Sequence, residues 1–225
     1  MYKIITEKIY DLPPVSQREV FRYAGMKGEP TAELIELFNE CVYLSRDTFA
    51  GKICYCELAK EDFLSYLPSA KDSQAVEKLI SSAERVAVFV ATAGIAVDRL
   101  IHRFVNVSPL KALMFQAIGA ERIETICDLF CASLQEKYAK EGWQASPRFS
   151  AGYGDFPLSA QTEIFTLLSP EKHIGVSLTD SLLMMPSKSV SAFVAFSKKP
   201  CAESEKNCDA CNLENCDYKR DKLWN

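Results

Sequence analysis

No stretch of this chain approaches the ~20 consecutive apolar residues that a bilayer-spanning helix needs, so a membrane anchor of that kind is not expected. Basic excess is missing as well. The formal net charge is −4, which lacks the positive footprint by which nucleic-acid binders neutralise phosphates. The opening residues, Met1-Tyr-Lys-Ile-Ile-Thr-Glu, carry neither the apolar segment nor the small-residue cleavage site of a secretory leader, and the expected address is cytoplasmic. No Gly-x-Gly-x-x-Gly run leads from a strand into a helix, and no loop ends in Gly-Lys-Ser/Thr. Dinucleotide and nucleoside-triphosphate enzymes are thereby disfavoured. Histidine is scarce, with His102 and His173 the two present.

What is present is a globular composition, 48% hydrophobic and 25% charged over 225 residues, enough to bury a substantial core. Nine cysteines stand out. In a reducing compartment they call for burial, metal or redox chemistry rather than a disulfide framework. Cys41, Cys54, Cys56, Cys127 and Cys131 lie in apolar stretches, and the other four crowd into the last 25 residues.

Read in order, Leu12-Pro13-Pro14 interrupts regular structure. Ser16-Gln-Arg-Glu19 is a capping box opening a helix to about Tyr23. Thr31 caps a longer helix to about Ser45, with Leu34, Leu37, Phe38, Cys41 and Val42 on one face. Residues 52–58 read as a strand whose Cys54 and Cys56 share a face; metal pairs use that spacing, but cysteine's burial preference favours a core face. A helix is expected over 73–84, then a strand buried on both faces from Val86 to Gly94. Residues 98–104 form an amphipathic helix whose Arg99, His102 and Arg103 face solvent. Ser108-Pro109 starts a helix of about 109–140, whose buried stripe runs Leu110, Leu113, Met114, Ala117, Ile118, Ile123, Ile126, Cys127, Phe130, Leu134 and Tyr138. Cys127 and Cys131 lie near that stripe and are assigned to the core. After a helix at 159–168 and a single turn at 169–175, two strands, 176–185 and 189–197, suggest a hairpin joined at Pro186-Ser-Lys188.

This order has no steady β-α alternation and favours an α+β fold with a twisted, largely antiparallel sheet and packed helices. The expected organisation is one domain over 1–197, helical in about 1–50, followed by a cysteine-rich tail over 198–225.

The most distinctive short run is Arg148-Phe-Ser-Ala151-Gly152-Tyr153-Gly154-Asp-Phe-Pro157. Its glycines free the backbone for close approach. Arginine offers a planar fork for a carboxylate, and tyrosine an aromatic face for a cation. Together they suit a small zwitterion; a surface glycine turn beside a solvated arginine is the plain alternative.

Taken together, Arg148-x-x-x-Gly152-Tyr153, Leu168-Ser-Pro-Glu171-Lys-His-Ile-Gly175-Val-x-Leu178-Thr-Asp-Ser181, Met184-Met-Pro186 and Ser189-Val-Ser191 resemble the activation domain of cobalamin-dependent methionine synthase over about 50 residues. The resemblance implies a module that binds S-adenosylmethionine and supports reductive methylation of cobalamin. Arg148, Ala151, Gly152 and Tyr153 would then be ligand-binding positions, and Glu124, by approximate alignment, the acid for the ligand's ammonium. An ordinary exposed glutamate is the alternative for Glu124. His173 matches a family position without an evident chemical task. The family's N-terminal aspartate and its tyrosine beyond the hairpin have no assigned counterpart here. No Asp-x-His-x-x-Gly run, by which many corrinoid proteins supply histidine to cobalt, occurs in the 225 residues. The expectation is therefore a stand-alone module acting in trans on a corrinoid-binding methionine synthase, auxiliary to that methyltransferase, with an electron donor such as flavodoxin. Two alternatives are an activator of another corrinoid protein linked to a metal or iron–sulfur site, and an interaction module without a ligand.

Cys201, Cys208, Cys211 and Cys216 provide four thiols with one Cys-x-x-Cys pair. That is the ligand count of a tetrahedral zinc site or an iron–sulfur cluster. An oxidised or simply reactive tail is the other reading.

Overall fold

The computed structural model describes residues 2–198, and the four tail cysteines lie outside them. In chain order the elements are β1 (Ile5–Ile9), α1 (Gln17–Tyr23), α2 (Ala32–Ser45), β2 (Gly51–Ala59), α3 (Lys60–Tyr66), a 3₁₀ turn (Pro68–Ala70), α4 (Gln74–Ile80) and β3 (Arg85–Thr92). There follow α5 (Ala96–Phe104), α6 (Pro109–Ala139), β4 (Gln144–Ala145), α7 (Ala160–Leu168), α8 (Pro170–Ile174), β5 (Ser177–Leu178), β6 (Met184–Met185) and β7 (Ser189–Ser197). This is the α+β architecture that the sequence suggests.

Five strands form one sheet in the order β1-β2-β3-β7-β4, with every neighbouring pair antiparallel. Strand β3 is central, and its unbroken apolar sequence follows from burial on both faces. Alternation then sorts the side chains. Val86, Val88 and Val90 join Cys54, Cys56, Phe193 and Ala195 in a core roofed by α3, α4 and α7. Ala87, Phe89 and Ala91 join Ile53, Tyr55, Ala192, Val194 and Phe196 in a second core beneath α6. Phe130 sits at the centre of that second core, with edge-on ring contacts of 5.0 Å to both Tyr55 and Phe89.

The 31-residue α6 is about 46 Å long at ~1.5 Å per residue. Its C-terminal half covers the sheet, while Met114, Phe115 and Ile118 in its N-terminal half pack against α1 and α2 through Phe21 and Phe38. Leu110 and Leu113, expected in the buried stripe, are 50% and 45% exposed. Helices α1, α2 and α5 gather instead around the Phe115–Ile118 face, turning the buried stripe away from those two leucines.

Ser16 and Thr31 cap α1 and α2 as their sequences suggest, accepting from the amides of Glu19 and Leu34 at 3.4 Å each. Only half of the Ser16 capping box forms. Glu19 pairs with Arg22 at 2.8 Å, and the Ser16 amide donates to Glu121 Oε1 at 3.0 Å. The helix expected over 73–84 stops at Ile80, because Glu84 is drawn into the sheet through the carbonyl of Phe196. The N-terminal part, expected to be helical over about 1–50, holds α1 and α2 but opens with the strand β1, which pairs with β2.

The expected hairpin of 176–185 with 189–197 is not formed. β7 pairs with β3 and β4, and the preceding segment folds on itself as the two-residue pair β5–β6. Thr179-Asp-Ser-Leu182 is the cause. Thr179 exchanges hydrogen bonds with Leu183 through its amide and hydroxyl, and Leu182 takes φ 62°, so a polar turn divides what looked like one strand.

Candidate functional site

β4 covers β7 only at Phe196 and Ser197. Phe149 continues the pairing, exchanging backbone hydrogen bonds of 2.9 Å with Phe193. Beyond it, Ser189–Ser191 have no strand on their outer side among the described residues. In an antiparallel ladder every second residue turns its N–H and C=O to the same edge. Phe193 and Ala195 bond outward to Phe149 and Ser146, so Ser191 presents its amide and carbonyl along that edge.

A cleft of about 350 Å³ lies there, within the ~300–1,000 Å³ range of small-molecule sites. Arg148, Ser150, Ala151 and Tyr153 line it from the glycine loop, Glu124 from α6, Gln161 from α7, and Met184, Ser189 and Ser191 from the β6–β7 side. Arg148, Ala151, Tyr153 and Glu124, singled out from sequence, thus meet at one cavity. Gly152 is not among its lining residues. It shapes the loop: its φ is 92°, its amide donates to Phe156 O at 2.8 Å, and an added Cβ would stand 3.2 Å from Leu158 Cδ1. That left-handed geometry favours glycine.

The loop is held at both ends. Phe149 and Phe156 pack on Phe193. The carboxylate of Asp155 accepts from Ser73 Oγ at 2.6 Å and from the amides of Gln74 and Ala75 at 2.7 and 3.1 Å, satisfying free donors at the start of α4. The Ser73 hydroxyl first, and then the two amides, hold Asp155 below the usual carboxylate range.

Arg148 is the electrostatic centre. Its guanidinium is largely buried, ion-pairs with Glu124, and stands 3.6 Å from Asp128. Burial opposes its charge, but Cys127, Glu124 and Asp128 more than offset this and hold its pKa above the ordinary value. Burial also pushes the Cys131 thiol up to about 11 and raises Cys127. Both remain thiols at neutral pH, so Glu124 and Asp128 supply the balancing charge there. Cys127 is fully buried in the α6 core and Cys131 packs against it.

Two buried side-chain polar atoms in the described residues have no hydrogen-bond partner there: Arg148 Nη1 and Gln161 Oε1. Both residues line the cleft. Such atoms are rare in folded proteins and call for an explanation. A bare donor and a bare acceptor on two residues that line one cavity fit a polar ligand. Gln161 escapes the sequence reading, although it shares a helix face with Ile164 and Leu168, where a polar side chain on an apolar stripe is itself a signal. Among the described residues no group of three His, Cys, Asp or Glu side chains is placed to hold a metal. No helix there is long and apolar enough to cross a membrane.

Residues 68–220 match the family model described as vitamin B12 dependent methionine synthase, activation domain. The chain belongs to that family. A crystal structure of the MetH reactivation domain bound to AdoHcy shares the fold, with a TM-score of 0.57 at 16% identity over 84% of this chain and 78% of that one. No curated protein matches the chain.

Proposed function

We propose that this chain binds S-adenosylmethionine in the β7-edge cleft and serves the reductive methylation of cobalamin on a partner methionine synthase acting in trans. The observation that carries the reading is the convergence of Arg148, with its unpartnered Nη1, Glu124 and Tyr153 on one cavity. Arg148 would take the carboxylate, Glu124 the ammonium, and Tyr153, 65% exposed at the rim, would lay its ring against the sulfonium. Within the cleft lining Arg148 and Glu124 balance, and Asp128, 3.6 Å from Arg148 but outside that lining, adds the nearby negative charge that favours the +1 of S-adenosylmethionine. When bound, it supplies an electrophilic methyl group. The cobalt chemistry belongs to the partner, with an electron from a flavodoxin-type donor.

Isothermal calorimetry on the wild-type chain tests the reading. We expect saturable binding of S-adenosylmethionine and of S-adenosylhomocysteine, the former tighter because of its extra positive charge, with the difference shrinking as salt is raised. Absence of binding to either removes the proposal. Co-purification of a cobalamin-binding protein from native extract tests action in trans.

A further inference from the structure

We infer that Gln161 is a ligand-binding residue that grips the nucleoside half of the same ligand, at the opposite end of the cleft from Arg148. The inference rests on the S-adenosylmethionine reading and deepens it. Gln161 is 6% exposed and its Oε1 has no partner among the described residues. A buried carboxamide oxygen without a donor is costly, on the order of one hydrogen bond's desolvation, and Gln161 lines the cavity from which a ligand donor would offset that cost.

The topology separates the two ends. Glu124 belongs to α6, which packs on the face of the sheet formed by Ala192, Val194 and Phe196. Gln161 belongs to α7, which packs on the other face with Phe193 and Ala195 through Ala160, Ile164 and Leu168. The cleft joins the two sides around the edge of β7 at Ser189–Ser191, which is unpaired among the described residues. A ligand whose amino-acid end is held by Arg148 and Glu124 therefore runs along this edge to reach Gln161. An Oε1 acceptor needs a donor from the ligand. Beyond the sulfur, S-adenosylmethionine has donors only on its nucleoside, at the 6-amino group and the ribose hydroxyls. Charge agrees with this division, since Gln161 is neutral and the paired charges lie at the other end.

The test uses S-adenosylhomocysteine and 5′-methylthioadenosine, which keeps the nucleoside and lacks the amino acid. Calorimetry is run on the full-length wild type, Gln161→Met, which keeps the length but not the acceptor, and Gln161→Glu, which keeps an acceptor. Gln161→Met should weaken both ligands about 10-fold, the scale of one neutral hydrogen bond, while Gln161→Glu holds methylthioadenosine within about 3-fold of wild type. Unchanged methylthioadenosine affinity in Gln161→Met overturns the inference and leaves the S-adenosylmethionine reading standing. Wild-type protein that binds neither ligand rejects both. A readout on the unmodified chain guards against misfolded variants. The 6-oxo analogue of methylthioadenosine removes the amine, and its 2′- and 3′-deoxy analogues remove the hydroxyls. One of these should lose about 5- to 10-fold, which also tells base from sugar. Equal affinity for all of them overturns the inference.

Discussion

At the scale of single residues, Arg148 concentrates the site's charge. It is paired with Glu124 while its Nη1 has no hydrogen-bond partner among the described residues, so it can receive a carboxylate without first giving up an acid. Arg148→Ala should weaken S-adenosylmethionine binding by about 2–3 kcal/mol, because it removes the charge-assisted contact to the ligand's carboxylate and leaves Glu124 beside that carboxylate without its cation. Calorimetry measures this directly, and an unchanged affinity takes Arg148 out of the site. Arg148 and Tyr153 were legible in the sequence because glycine on either side of a tyrosine, just after an arginine, has few structural uses. The role of Gly152 was legible only in part: glycine signals an unusual backbone, but whether that backbone touches ligand or bends the loop depends on Leu158 and Phe156, which only the fold brings close. Gln161 was hidden because its significance is the absence of a partner, and sequence records no partners.

Among the elements, α6 ties the sheet to the N-terminal helices, and its middle carries a buried ion pair. Arg122 donates to the Glu121 carboxylate at 2.5 and 2.6 Å and to Pro13 O at 2.7 Å, while Glu121 accepts from the Ser16 amide. Two prolines that cannot enter a helix are thus pinned by an arginine, which fixes where α1 begins. Arg122→Met leaves Glu121 buried without its cation and should cost about 3 kcal/mol of stability, read as a lower urea midpoint. A midpoint within experimental error of wild type would mean that the segment is held elsewhere. Asp155 links α4 to the glycine loop in a comparable way. Its folded pKa is lowered, so its contribution to stability is present above the ordinary carboxylate value and is lost as pH falls through the lower, folded value. Asp155→Asn at neutral pH should imitate that loss, with faster amide exchange at Gln74 and Ala75 and weaker ligand binding; unchanged exchange at both amides would contradict it. Elements with a single strong period, such as α2, α6 and β3, were readable in advance. The β5–β6 pair was not, since its apolar flanks matched a continuous strand and the hydrogen bonds of Thr179 decided otherwise.

For the whole molecule, the antiparallel sheet was inferable from the lack of β-α alternation, but not the strand order that, among the described residues, leaves the edge of β7 open beside the loop. That edge borders the cleft, and every residue proposed for ligand binding lies between positions 124 and 191. The cores on both sides of the sheet are likewise built within residues 2–198. Ligand binding and the chemistry of Cys201, Cys208, Cys211 and Cys216 should therefore separate. A chain ending at Lys198 should fold and bind S-adenosylhomocysteine within about 2-fold of the full-length protein, a difference of roughly 0.4 kcal/mol. Full-length protein purified without oxygen should carry iron and acid-labile sulfide on the four thiolates, giving the one-electron centre that a reductive methylation requires, and the shortened chain should carry neither. Colourless full-length protein with four titratable thiols, or with zinc in place of iron, would remove the tail from electron delivery. Lost ligand affinity in the shortened chain would instead mean that the tail completes the cleft.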